Sequence, residues 1–588
     1  MPYTPDSLLG EVLRNRQAKA VVRKHLSGIV NAPLGVQLRH VSLAQVVGFL
    51  DNTRANPEAR EAFFAELATI DENLSEPPRP AEELTVPSDS YEGPEVPLGS
   101  AEANWPSSAT RWHPFELELR GPSHGNPFTD VELSAEFTHR DTGRTLTAHG
   151  FYDGDGVYRL RLMPDEEGAW DFATTSNSRS LTGITGTFDC LPAAAGEHGP
   201  VRVHNTFHFR HADGTRHLPI GTTAYAWTHQ GDELEERTLR TLAEAPFNKM
   251  RMCVFPKAYL FNANEPRLYP FAGSLEDGWD FRHLNPDYFA HLENRIRQLG
   301  ELGIQADLIL FHPYDRWGFS DMGPVADDRY LRYVVARLAA LPNVWWSLAN
   351  EYDLMWAKTE KDWHRMAAVI GDTDPHGHLL GIHNCTAFWD NNADWVTHSS
   401  LQRVDVYRTA ENTDAWGAEW NKPVVIDECG YEGDIDQGWG NLPARELVRR
   451  FWEGAVRGGY VGHGETYLAD DEVLWWSKGG VLKGESPARI AFLRQILEES
   501  PEDGIGPLPG DWDVPVGGVA DTYRLAYFGF GQPRYRTFAL RPGIRWKVDV
   551  IDTWAMTVTE LPGTYEGVFR IDLPGHQFIA VRLRAVEA

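Results

Sequence analysis

Apolar positions change period several times along the chain, and each change marks a different kind of element. Over residues 1–75, Leu8, Leu9, Val12 and Leu13, then Ala18, Val21, Val22 and Leu26, recur at roughly helical spacing. Pro57 stands near the start of a second run through Phe63, Phe64, Leu67 and Ile70, the place where a helix tolerates proline. Residues 76–104 are rich in Pro, Glu and Ser and read as a linker or extended wrap. From 105 to 209 the period is two. Phe115–Leu119, Val131–Ala135, Val157–Leu162 and Trp170–Phe172 alternate apolar and polar residues, with turns at Asp141–Gly143 and Asp153–Gly156, which predicts an antiparallel β-sandwich.

Between 210 and 500, short apolar runs alternate with longer helical patterns. Strands are predicted at 218–223, 249–255, 304–311, 344–349, 378–383, 395–399, 423–427 and 459–463, and helices at 233–245, 286–302, 327–340, 363–370 and 444–457. Eight strands interleaved with helices fit a closed (β/α)8 TIM barrel. An open doubly wound sheet gives a similar local signal, but the first turn, Thr223–His229, lacks the glycines of a dinucleotide loop. Residues 501–518 read as a second linker, and 519–588 return to short strands. The expected fold is therefore multidomain: a catalytic barrel flanked by an N-terminal β-sandwich and a small C-terminal β-sandwich-like domain.

A chain of 588 residues is long enough for such an arrangement. Its 55 Lys and Arg against 84 Asp and Glu leave a formal charge of −29, which repels nucleic acid and anionic membrane. The four cysteines are scattered without zinc-ligand spacing and read as buried thiols. The N-terminal stretch lacks the apolar core of a signal peptide and no run of about 18 apolar residues suggests a membrane span, so the expected location is cytoplasmic. The short N-terminal helices need cover for their apolar faces, either from another domain or from a second copy in a homo-oligomer.

Two segments carry the chemistry. Asn343–Glu351 is an apolar strand ending in Asn350 and Glu351, and Lys422–Tyr431 is another ending in Asp427 and Glu428. Strand ends are where a barrel assembles its active site. Glu351 and Glu428 are the expected catalytic pair, able to protonate a leaving oxygen and attack an anomeric carbon at a carboxyl separation of about 5–5.5 Å. An inverting pair at roughly 6.5–9.5 Å satisfies the same chemistry. Asp427 is the rival nucleophile, although alternation along a strand keeps it and Glu428 from sharing one pocket.

These segments resemble clan A of the glycoside hydrolases, in particular bacterial members with an N-terminal immunoglobulin-like domain, a barrel and a small C-terminal β-domain. The resemblance spans about residues 105–588. It implies a metal-independent retaining hydrolase, with Asn350-Glu351 ending the fourth strand, Glu351 as acid/base and Glu428 as nucleophile on the seventh. It further implies that Arg251 orients the nucleophile, that His312 and His398 are pocket histidines, and that Gly462–Tyr467 forms the polar end of the eighth strand. The expected substrate contacts are Asn350, Arg251, His312, His383, His398, Tyr431, His463 and Glu465, with Tyr225, Trp227, Trp317, Trp389, Trp439 and Trp475 supplying ring faces for sugar C–H bonds, and Trp476 beside them. The expected partner is a small carbohydrate cleaved by exo action, with no cofactor and no metal. Transglycosylation through the same intermediate and noncatalytic carbohydrate binding are the alternatives.

Overall fold

The computed structural model describes residues 2–26, 34–51, 57–70, 82–405, 408–509 and 513–586. Parts of the two expected linkers, 76–81 and 510–512, lie outside them.

Eight parallel strands occupy the centre: Gly221–Thr223, Lys249–Cys253, Gln305–Phe311, Val344–Ala349, Leu380–Gly381, Ser399–Gln402, Val424–Glu428 and Tyr460–His463. They neighbour one another in chain order, and the first pairs with the eighth. A single parallel bridge between His383 and Ser400 joins the fifth to the sixth, leaving a nearly closed TIM-like barrel. Both faces of these strands are covered, so they are buried along their length rather than alternating; every residue of 305–311 and 344–349 is buried.

The outer layer holds helices Asp232–Glu244, Pro286–Glu301, Pro324–Leu338, Glu360–Thr373, Thr413–Trp420, Ala444–Ala455 and Ser486–Glu498. Proline opens the second and third of these, where its missing N–H costs nothing. Among the described residues, 382–398 carry no helix between the fifth and sixth strands.

Charge fills the barrel interior below the strand ends. Lys249 Nζ lies 2.5 Å from Asp307 and 2.7 Å from Asp427, while Arg251 Nη1 reaches Ser347 at 3.2 Å and Asp307 at 3.5 Å. Each of these buried charges has an opposite neighbour, the condition under which ions are tolerated away from water. The other end is closed by strands Val201–His204, His208–His211 and Arg216–His217, whose Phe209 packs 5.2 Å from Trp345.

Upstream, one sheet contains Leu133–His139, Gly168–Ser176 and Thr185–Leu191, and a second contains Phe115–Arg120 and Val157–Leu162. Phe115, Phe137, Leu160, Trp170, Phe172 and Phe188 form one core between them. Downstream, a seven-stranded sheet including Tyr523–Tyr527, Arg545–Asp552 and Ile579–Ala585 packs against the barrel's seventh-strand helix, with Tyr527 stacked on Trp452.

The N-terminal helices gather Leu9, Val12, Val22, Leu43, Phe63 and Leu67 into a small core of their own, rather than depending wholly on a neighbour. They dock on the barrel's active rim through Gln37, which donates to Ser320 Oγ at 2.8 Å and accepts from the Ala357 N–H at 3.4 Å.

Candidate active site

The fourth strand is held to its end by the Asn350 N–H, which donates to the Phe311 carbonyl at 2.9 Å. The chain then turns sharply. Glu351 sits at φ 51° and ψ 53°, the left-handed region that costs a residue bearing a Cβ, and such strain gathers at functional positions.

On the seventh strand, Val425 pairs with Ser400 but Glu428 pairs with Gln402, so the seventh strand carries one extra residue. This bulge breaks strict alternation and lets consecutive acids both face inward. Asp427 drops into the barrel, bonded to Lys249 and, at 2.6 Å, to Ser400 Oγ. Glu428 stays at the rim and accepts a hydrogen bond from the Tyr225 hydroxyl. The acids therefore lie at different depths.

Electrostatics separate them further. Burial, then repulsion from Glu428, pushes the Glu351 carboxyl up to about 7, against the pull of the Tyr314 hydroxyl, the Lys257 ammonium and the Gln402 amide. For Asp427 the burial cost is outweighed by Lys249 and Arg251, which hold it well below the usual carboxylate range. Burial and the charge of Glu428 raise Tyr225 far above an ordinary phenol, so it remains a donor. Arg251 makes no hydrogen bond to Glu428; it donates to Asn350 Oδ1 at 2.9 Å, and that oxygen lies 3.4 Å from the Tyr225 hydroxyl.

Tyr431 and Trp476 are buried against Tyr225, and Trp439 lies 4.8 Å from Trp476, so these rings wall the pocket around Glu428. His312 is buried after the third strand and contacts the Phe255 carbonyl at 3.2 Å; burial pushes it down to about 3, so it is neutral. His383 lies just past the fifth strand, fully buried near Arg251 and Asp427; burial holds its ring well below the usual range, so it is neutral.

Residues 203–498 match the family model described as apiosidase-like, catalytic domain, while 108–177 and 512–584 match two domains of unknown function, DUF5060 and DUF5605. A candidate glycoside hydrolase from Bacteroides vulgatus ATCC 8482 is 39% identical, with a TM-score of 0.78 over 82% of this chain and 100% of that one. The chain belongs to the apiosidase-like family. A glycoside hydrolase of family 5 from the same organism, at 16% identity, shares the fold, with a TM-score of 0.54 over 66% of this chain and 94% of its own. No curated protein matches.

Several expected contacts lie elsewhere in this apiosidase-like barrel. His398 precedes the sixth strand and faces Phe209 and Trp345 at the opposite end, because the strand begins one residue after it. Trp227 is fully enclosed in the outer core, its indole N–H directed at Met252 Sδ. Trp317 packs on Phe319 and donates to Glu265 at 2.9 Å. Trp389 meets Tyr352 and Trp395 in a separate hollow beyond the Glu351 turn. Trp475 donates to Thr222 Oγ1 at 2.8 Å, leaving its neighbour Trp476 to face the pocket.

His463 also turns outward, stacked on Phe247 and bonded to Thr222 at 2.8 Å. Glu465 accepts from the Lys483 N–H at 2.7 Å and from the Gly484 N–H at 2.5 Å. Burial pushes its carboxyl up to about 7, with the adjacent Glu432 adding repulsion. Glu432, His463 and Glu465 offer ligand atoms within 4.8 Å of one another, as do Asp232, Glu235 and His291. In the first group, amide N–H dipoles already point at the carboxylates, a surrounding that favours anions over an added cation.

Lys257, Tyr259 and Tyr314 also meet at the site, and the sequence does not single them out. They follow the second and third strands, the region to which the strand-end rule points, although nothing in the sequence marks Lys257 as buried.

Proposed function

We propose that this protein is a retaining, exo-acting O-glycosidase that releases a terminal apiosyl unit, or a sugar of similar size, from a short glycoside. The observation that carries this reading is the unequal carboxyl pair. Burial and Glu428 keep Glu351 protonated up to about pH 7, while Glu428 takes the Tyr225 hydroxyl as a donor. In the first step Glu351 gives its proton to the glycosidic oxygen as a Glu428 oxygen attacks the anomeric carbon; the C–O bond breaks and a glycosyl ester forms. In the second, Glu351, now a carboxylate, takes a proton from water, which displaces Glu428 from the sugar. Tyr225 and the Arg251–Asn350 pair hold the nucleophile's surroundings in place. The aromatic wall of Tyr431, Trp439 and Trp476 supports a short substrate, and the family description supports apiose.

Aryl apiofuranosides of both anomers, among a panel of aryl glycosides, test the reading. Release of the aryl alcohol, with the first-formed sugar seen by NMR in the substrate's own configuration, is expected. Inversion would reject the retaining step, and products that change with added acceptor sugar would replace hydrolysis by transfer.

A further inference from the structure

Lys257 breaks the rule that the other buried lysines of the barrel obey. Lys249 is paired with Asp307 and Asp427, and Lys358 with Asp327 at 2.5 Å. Lys257 is only 4% exposed, yet its ammonium has no carboxylate or hydrogen-bond acceptor among the described residues. It is instead held by ring faces, 3.4 Å from the centroid of Tyr225, 4.4 Å from Tyr314, 5.0 Å from Trp476 and 5.5 Å from Tyr259. Such a cage fixes a cation in place without using its N–H donors.

The same rings carry the site. Tyr225 bonds to Glu428, and Tyr314 acts on Glu351. Around them, Glu351 Oε2 and the Trp476 indole N–H are buried without partners. Buried polar atoms are almost always satisfied, so orphans beside the same caged ammonium mark where a polar ligand sits.

We propose that Lys257 is a specificity-determining residue, its ammonium donating hydrogen bonds to hydroxyl groups of the sugar whose anomeric carbon Glu428 attacks. This rests on the glycosidase reading above. Neutral hydroxyls fit better than an anionic group, because the single positive charge of Lys257 already has Glu428 near it, and a further anion would be repelled. Burial draws the lysine below its usual range, against the opposing pull of Cys253, Glu351 and Glu428.

Kinetics with the wild type, Lys257→Met and Lys257→Arg on an aryl glycoside cleaved by the wild type, and on its mono-deoxy analogues, test the proposal. Removing the contacted hydroxyl should lower wild-type kcat/KM about 10–100-fold. The same removal should cost Lys257→Met less than about threefold, with Lys257→Arg in between. Equal losses for every analogue in wild type and Lys257→Met would overturn the contact. If the wild type cleaves nothing, the glycosidase reading fails separately. Calorimetric titration with free apiose then decides the contact: weaker binding in Lys257→Met supports it, and unchanged or absent binding rejects it. Lys257→Arg, which keeps the charge, carries the comparison if the methionine variant does not fold.

Discussion

Asn350 Oδ1 is shared: Arg251 Nη2 donates to it at 2.9 Å, and the Tyr225 hydroxyl that serves Glu428 lies 3.4 Å away. Asn350→Ala should leave Arg251 with an unanswered donor and loosen Tyr225. A loss of about 1–3 kcal/mol in stability and about 10–100-fold in kcat/KM is expected. Denaturant melts and kinetics on one substrate check both, and unchanged kinetics would remove Asn350 from the machinery.

The two acids should fail differently. Glu428→Gln is expected to abolish turnover on all aryl glycosides, because no ester can form. Glu351→Gln should slow the glycosylation step, read as kcat/KM, by about 10²–10⁴-fold for poor leaving groups and spare that step for activated ones, while hydrolysis of the ester slows for all. A plot of rate against leaving-group pKa reads this out, and parallel losses would undo the assignment.

Glu351 also sets pH behaviour. Its folded-state pKa of about 7 exceeds the ordinary 4.5, so the folded chain holds that proton more tightly and loses stability as pH rises between those values. Activity should fall on the alkaline side near pH 7. Glu351→Gln should be more stable than wild type at pH 8, by on the order of 1–3 kcal/mol, and no more stable at pH 4. Thermal melts at the two pH values decide it; a pH-independent difference would mean that burial and repulsion are not the cause.

Self-association through the N-terminal helices, expected from their apolar faces, loses its main motive because those faces close on each other. A chain lacking residues 1–75 should show the same oligomeric state by sedimentation as the full chain across a concentration series, each with the mass of its own single chain. Its kcat/KM should drop severalfold, since Gln37 no longer braces Ser320 and Ala357 beside the turn that follows Glu351. Dissociation on truncation would restore the helices as an interface.

The strands were legible because burial on both faces writes continuous apolar runs, and the acids were legible because they end two of those runs. Depth and direction were not. A strand end tells that a side chain is near the rim, but His463 and Trp475 turn to the outer layer, and His398 belongs to the opposite end. Strict alternation would send Asp427 and Glu428 to opposite faces, whereas the bulge points both inward, at different depths. Lys257 was missed because lysines are usually solvated, and only the assembled rings reveal one that is not.

Glu432 lies four residues beyond Glu428 and accepts hydrogen bonds from the Glu485 and Ser486 N–H groups, where the last barrel helix begins. The strand bearing Glu428 is thus stapled to that helix, and Arg489 on the helix stacks over Trp554 of the C-terminal sheet. The seventh-strand helix meets the same sheet through Trp452. A chain cut near residue 500 would expose Phe451 and Trp452 and free one side of the helix that Glu432 holds. The C-terminal sheet is therefore part of the scaffold that keeps Glu428 in position, and a barrel excised at its apparent boundaries would lose that support.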